Sequence, residues 1–129
     1  MIVVDTNVIL YMLIPGEKTS GAEELFKKDA DWVAPKLWLD EFVNVLCTYE
    51  QNEMISPVEA RGILEDGMSL MNERDYEVPP ELTLSVARRT GCSGYDSQFI
   101  GLAEQLGVKL ATCDKRIIEN CKDIAIPLN

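Results

Sequence analysis

Apolar residues along this chain gather into two kinds of run that alternate. Ile2-Val3-Val4, Trp32-Val33-Ala34, Tyr76-Glu77-Val78, residues 108–111 and Ile124-Ala125-Ile126 are short and closed by polar residues or proline. Such runs predict short strands in a buried sheet. Between them the apolar positions take helical spacing. Across residues 36–51, Trp38, Phe42, Val45, Leu46 and Tyr49 share a stripe at i, i+4, i+7, i+8 and i+11. A turn or two of helix is predicted over 8–13, stopped by Pro15-Gly16. Thr19 or Ser20 is placed to cap a helix that carries Ala22, Leu25 and Phe26 and ends near Lys27-Lys28. Ser56-Pro57-Val58-Glu59 holds a full helix-start signature, with Ser56 as N-cap, Pro57 at N1 and Glu59 closing a capping box. Residues 81–89, 93–106 and 115–120 read as the remaining helices.

Strands alternating with helices indicate an α/β fold. The expected architecture is a three-layer α/β/α sandwich around a central, mostly parallel sheet of four to five short strands, in a single domain over residues 1–129. In such sheets ligands bind at the carboxyl ends of the strands. Asp5 lies just past the first strand and Asp114 just past the strand at 108–111, so both fall on that edge.

Composition then narrows the chemistry. No segment approaches the run of about 20 apolar residues that a membrane helix needs. The apolar start has no basic residue ahead of it and is interrupted by Asp5, unlike a signal peptide. A cytoplasmic location with no membrane contact is expected. Cys47, Cys92, Cys113 and Cys121 make no Cys-x-x-Cys pair and are expected as free, mostly buried thiols. Histidine is absent, which excludes histidine general bases, Ser-His-Asp and Cys-His constellations, and imidazole-ligated zinc. Acid–base or metal chemistry would fall to carboxylates, whose oxygens suit Mg²⁺ or Mn²⁺. Twenty-two acids against twelve bases leave a net charge of −10, which argues against broad affinity for nucleic acid.

Four acids occupy informative positions. Asp5 ends the first strand, and Glu41 lies one turn into the 36–51 helix, on a face shared with Asn44. Asp96 is in the first turn of its helix, and Asp114 follows the strand at 108–111. Each has an ordinary structural role open to it, and singly that role is the better reading. Asp5 and Asp114 can cap the helices that follow them. Ser93 and Asp96 match a capping-box template, and Glu41 can be a solvated flank acid. As a set they are harder to dismiss, because carboxylates gathered at one sheet edge repel one another and a dication is the usual means of holding them. Such an ion makes hydroxide from water and neutralises charge on phosphoryl oxygens. Thr6, Asn7, Asn44 and Thr112 are placed to orient ligands and waters around it.

The order and spacing of these residues resemble PIN-domain nucleases. Val4-Asp5-Thr6-Asn7-Val8-Ile9 is similar to the family's opening motif. Glu41-Phe42-Val43-Asn44-Val45-Leu46 is similar to its second, and Tyr95-Asp96-Ser97-Gln98-Phe99-Ile100-Gly101-Leu102-Ala103 to its third. Leu110-Ala111-Thr112-Cys113-Asp114-Lys115-Arg116 is similar to its fourth, so the motifs span nearly the whole chain. The resemblance implies a Mg²⁺/Mn²⁺-dependent endoribonuclease with Asp5, Glu41, Asp96 and Asp114 as its acidic quartet. Asp5 and Asp96 would be central metal ligands, with Glu41 and Asp114 completing the site directly or through water. The implied reaction is in-line hydrolysis of RNA that leaves 5′-phosphate and 3′-hydroxyl ends. Stand-alone members of this size are commonly VapC-type toxins, which form homodimers and are inhibited by a small antitoxin protein. One departure is Arg116: many toxin-type members carry an acid there, and other branches a basic pair.

Two rival functions can be weighed. A phosphohydrolase with an aspartyl nucleophile also opens on apolar residues and Asp, but it needs a second Asp two positions on, where this chain has Asn7. A non-catalytic PIN-like module binding RNA or protein would have no need of all four acids. Lys115-Arg116 could contact phosphates flanking the cleaved bond or belong to a solvated loop. Met54, Met68, Leu70 and Met71, with Met12-Leu13-Ile14, read first as core and second as a partner surface.

Overall fold

A computed structural model describes residues 1–129. β1 (Ile2–Val4) has every residue buried, as three β-branched side chains in the centre of a sheet should. It runs parallel to β2 (Trp32–Pro35) on one side, with Ile2 opposite Trp32, and to β4 (Leu110–Thr112) on the other, with Val4 opposite Ala111. β3 (Asp75–Tyr76) and β5 (Ala125–Pro127) form the two edges, giving the order β3-β2-β1-β4-β5 with every pairing parallel. Pro35, which has no amide hydrogen, is accommodated because the ladder to β3 uses the amides on either side of it. Ala34 N donates to Arg74 O at 3.2 Å and Lys36 N to Tyr76 O at 2.9 Å.

Helices cover both faces, so the molecule is a three-layer α/β/α sandwich. α6 (Gly94–Leu106) packs across β1, β2 and β4, with α5 (Pro80–Thr90) against it. The other layer is α1 (Thr6–Leu13), in contact with α2 (Thr19–Lys28), α3 (Leu37–Gln51) and α4 (Pro57–Leu70). α7 (Lys115–Asn120) packs beside β5. One core cluster of 24 buried residues links sheet and helices, with Trp32, Trp38, Phe42 and Phe99 as its largest side chains. No helix is long and apolar enough to cross a membrane.

Most element ends follow from local chemistry. The predicted capping box opens α4 with both bonds made: Glu59 N to Ser56 Oγ at 3.1 Å, and Ser56 N to Glu59 Oε1 at 3.0 Å. Three expectations need correcting. Thr19 does not cap α2 but is its first residue, and Lys18 stands at the N-cap. The Thr19 hydroxyl instead closes the preceding loop, accepting from Gly16 N at 2.9 Å and donating to Ile14 O at 3.2 Å. β4 begins at Leu110 rather than 108. Gly107 ends α6 in the left-handed region (φ 67°), and Val108 N is used by Ala103 O at 3.0 Å to close the helix. β3 is Asp75–Tyr76 rather than 76–78, since its partner strand ends at Pro35. Asp75 is held there by Trp38 Nε1 at 3.3 Å and Lys36 Nζ at 3.4 Å.

The sulfur residues divide. Met71 is core at 2% exposed, whereas Met54 and Met68 are 63% and 50% exposed, against the core reading. All four cysteines are free, with Cys92 and Cys121 buried, Cys113 half-buried and Cys47 exposed.

Two glycines of α4 should respond oppositely to the same change. A Cβ on Gly67 would stand 2.8 Å from the Phe42 ring, which is fully buried and has no room to give, whereas a Cβ on Gly62 meets nothing within 4 Å. Gly67→Ala is expected to destabilise by about 1–3 kcal/mol through overpacking. Gly62→Ala is expected to stabilise by about 0.5–1 kcal/mol through helix propensity. Urea-unfolding midpoints of the two variants decide it.

Candidate active site

The order of the strands creates the crevice. From β1 the chain steps outward to β2 and β3, then returns to the other side of β1 to lay down β4 and β5. Between β1 and β4 the winding reverses, and at such a switch point the connections leave a gap at the carboxyl ends of the strands. Asp5 emerges from β1 into this gap, its amide bonded to Ala111 O of β4 at 3.0 Å. Thr112, fully buried at the end of β4, donates its hydroxyl to Asp5 Oδ2 at 2.8 Å and accepts from Asp114 N at 3.0 Å. One hydroxyl thus fixes both the Asp5 carboxylate and the turn that carries Asp114.

The other two acids come from the helical layers. Glu41 projects from α3 and accepts from Thr6 Oγ1, at the start of α1, at 2.7 Å. Asp96 sits in the first turn of α6, where its amide donates to Ser93 Oγ at 3.0 Å. Only half of the expected capping box is made, since the Asp96 carboxylate does not reach back to the Ser93 amide. Asp5 occupies the N-cap position of α1 without making a side-chain cap bond, so its ordinary role is not taken up. Asp114 does take its role: Oδ1 accepts from Arg116 N at 2.9 Å and Ile117 N at 3.3 Å.

All four carboxylates line one pocket of about 220 Å³, together with Thr6, Asn7, Asn44 and Val45. Thr112 lies behind Asp5. Among the predicted phosphate contacts, both Lys115 and Arg116 are exposed, and the charge of Arg116 reaches Asp96. Val45 was read only as part of the apolar stripe, although its place one turn after Glu41 was a signal that it could reach the same site. A larger cavity of about 370 Å³, against α2 and β5, shares none of these residues.

The acids sense one another. Asp5 is pushed up to about 6, first by burial and then by the charges of Glu41 and Asp96, against the lowering bond from Thr112. Glu41 is raised by burial, with Asp96 adding to it and the Thr6 bond opposing. Asp96 is raised by burial and by Asp114, opposed by Ser93 and Arg116. Oxygen-only donors that repel one another in a partly buried pocket are a set that a hard dication such as Mg²⁺ or Mn²⁺ would relieve. In the arrangement described, no group of three or more acids stands close enough together to hold a metal ion. The pocket therefore supplies the donors along its wall without a finished coordination cage.

The Asp5 shift has a measurable consequence. Below 3.8 its carboxyl is protonated in folded and unfolded chains alike, and between 3.8 and about 6 only the folded chain keeps the proton. Above that, folding must hold the bare charge, at a cost of up to about 3 kcal/mol. Asp5→Asn should therefore stabilise the metal-free protein near neutral pH by up to this amount, with the gain vanishing by about pH 4. Urea unfolding in chelator across this range measures it.

Comparison with known proteins agrees with the fold. The sequence matches the family model described as PIN domain over residues 2–123. It is 24% identical over 129 residues to Ribonuclease VapC3 of Pyrobaculum aerophilum, covering 98% of each chain. Among solved structures, PAE2754 from Pyrobaculum aerophilum superposes with a TM-score of 0.77 at 22% identity, covering 98% of this chain and 89% of that one. FitAcB from Neisseria gonorrhoeae gives a TM-score of 0.69 at 19% identity, covering 100% and 97%. With a family match that takes in β1 through α7 and a fold shared along the full length, this chain belongs to the PIN domain family.

Proposed function

We propose that this protein is a Mg²⁺- or Mn²⁺-dependent endoribonuclease, and that it serves as the toxin of a toxin–antitoxin pair. The observation that carries the nuclease reading is the convergence of Asp5, Glu41, Asp96 and Asp114, from four separate segments, on one pocket at the sheet's switch point. A bound dication there would supply hydroxide from water and offset charge on the phosphoryl oxygens.

The chain's own residues prepare for it. Thr112 and Thr6 aim the carboxylates of Asp5 and Glu41, so two of the donors are held by hydrogen bonds before any ion arrives. Asp114 has one oxygen committed to the α7 amides, which leaves the other facing the pocket as a potential donor. Asn7 and Asn44 line the wall with amides able to orient water or substrate. Arg116, beside Asp96, is the cation placed to meet a neighbouring phosphate.

The toxin assignment is supported by the relative named Ribonuclease VapC3 and by the family match; a small antitoxin partner and a homodimer are what the resemblance to VapC-type toxins implies. A second reading, a PIN-like module that binds without cutting, is favoured by one observation: no three acids are gathered around a single point. Incubation with RNA in Mg²⁺ or Mn²⁺ separates the two. The nuclease should cleave, lose at least about 100-fold in rate as Asp96→Asn, and fall silent in excess chelator. Cleavage that survives both the substitution and the chelator would sink the metal-nuclease reading.

A further inference from the structure

Beside the acidic pocket lies a groove of about 670 Å³ that the four acids leave unexplained. Asn7 lines both. One turn after Asn7, Tyr11 extends the wall along α1, and Tyr49 enters from α3. Both rings are half-buried. Met54 adds an exposed apolar lip, and Lys18 and Glu17 stand on the rim. The volume lies within the range of about 300–1,000 Å³ that pockets for small ligands occupy.

Charge gives the groove a direction. Lys36, Arg61, Arg74 and Arg89 are each paired with a carboxylate. Lys18 and Arg116 are in no such pair; Lys18 lines the groove, and the Arg116 amide donates to Asp114 Oδ1 at 2.9 Å. Tyr11 shares the groove wall with Asn7, which also lines the acidic pocket. In a chain of net charge −10, the acidic pocket therefore has an uncommitted cation on each flank and two tyrosines on the Lys18 side. Aromatic faces for bases and cations for the backbone are the two elements of single-strand recognition.

We propose that this groove seats the nucleotide next to the scissile phosphate of single-stranded RNA, with its base against Tyr11 and Tyr49 and its phosphate at Lys18. The proposal rests on the nuclease reading of the acidic pocket. The strand then passes Asn7, crosses the acids and leaves along Arg116. Glu17 repels the backbone from its part of the rim and so confines the phosphate to Lys18. Flat stacking surfaces accept any base, so the groove supplies affinity for unpaired nucleotides and excludes a duplex, whose bases are already stacked.

The test measures binding of a fluorescein-labelled, mixed-sequence single-stranded oligoribonucleotide in Mg²⁺, on an Asp96→Asn background to suppress cleavage. Adding Tyr49→Ala should weaken binding by about 5- to 100-fold, the effect of losing one stacked base. Adding Lys18→Ala should lower the slope of log affinity against log salt by about 0.7, the loss of one phosphate contact, and Lys18→Arg should restore it. Lys18 is fully on the surface, so its removal leaves the fold intact. Weakened binding alongside a wild type that cuts no RNA supports the RNA seat and overturns only the nuclease reading. Unchanged affinity and salt slope in both variants, with normal wild-type cleavage, overturn the seat and leave the groove to a protein partner.

Discussion

The pairing of β1 with β4 is the constraint on which the acidic edge depends. It brings a carboxylate from the start of the chain against a hydroxyl from its last quarter, at the one place where the sheet's winding reverses. A hydrogen bond to a charged group contributes about 1.5–3 kcal/mol, less than the penalty of withdrawing a carboxylate from water. The imbalance is visible as Asp5 raised to about 6. The surrounding core carries that cost, since Val3, Val4, Leu110 and Ala111 are all buried and hold the strand ends in place. On the proposed reading, function and stability pull in opposite directions at Asp5, a common condition of sites prepared for a ligand.

Much of the fold was legible because its signals are local. The capping box at Ser56 and Glu59 needs only four residues, and α7 began and ended where the apolar pattern placed it. What local pattern does not carry is competition between neighbours. Val108 is β-branched and suits a strand, yet its amide is needed to close α6. Thr19 suits a cap, yet its hydroxyl is spent on the loop before it. Strand order was beyond reach for the same reason: short buried strands look alike, and their neighbours are chosen by helices elsewhere.

The site was legible to a different degree. Asp5 and Asp114 could be placed on the carboxyl edge from their positions after strands, whereas Glu41 and Asp96 joined them only as a set and through the family resemblance. Their shared pocket depends on contacts between residues as far apart as Asp5 and Thr112, which no window of sequence contains. The stripe on α3 shows the limit most clearly. Trp38, Phe42 and Leu46 are buried as the spacing predicts, while Val45 faces the acids and Tyr49 the neighbouring groove. An apolar stripe is broad enough to serve a core and a binding surface at once, and periodicity alone does not divide it.

The separation of the four acids along the chain also sets when the site can exist. The Asp5–Thr112 bond spans 107 positions, and β1 lacks one of its two neighbours until β4 is available. Contacts of such range make folding slow relative to helical proteins, because loop entropy is lost before the contacts repay it. On a ribosome adding about 5–20 residues per second, Asp5 and Glu41 emerge seconds before Asp96 and Asp114. A nascent or truncated chain holds two acids without their counterparts or the hydroxyl that aims Asp5. Whatever chemistry this edge performs thus appears only once β4 and Asp114 have been synthesised, a delay imposed by topology alone.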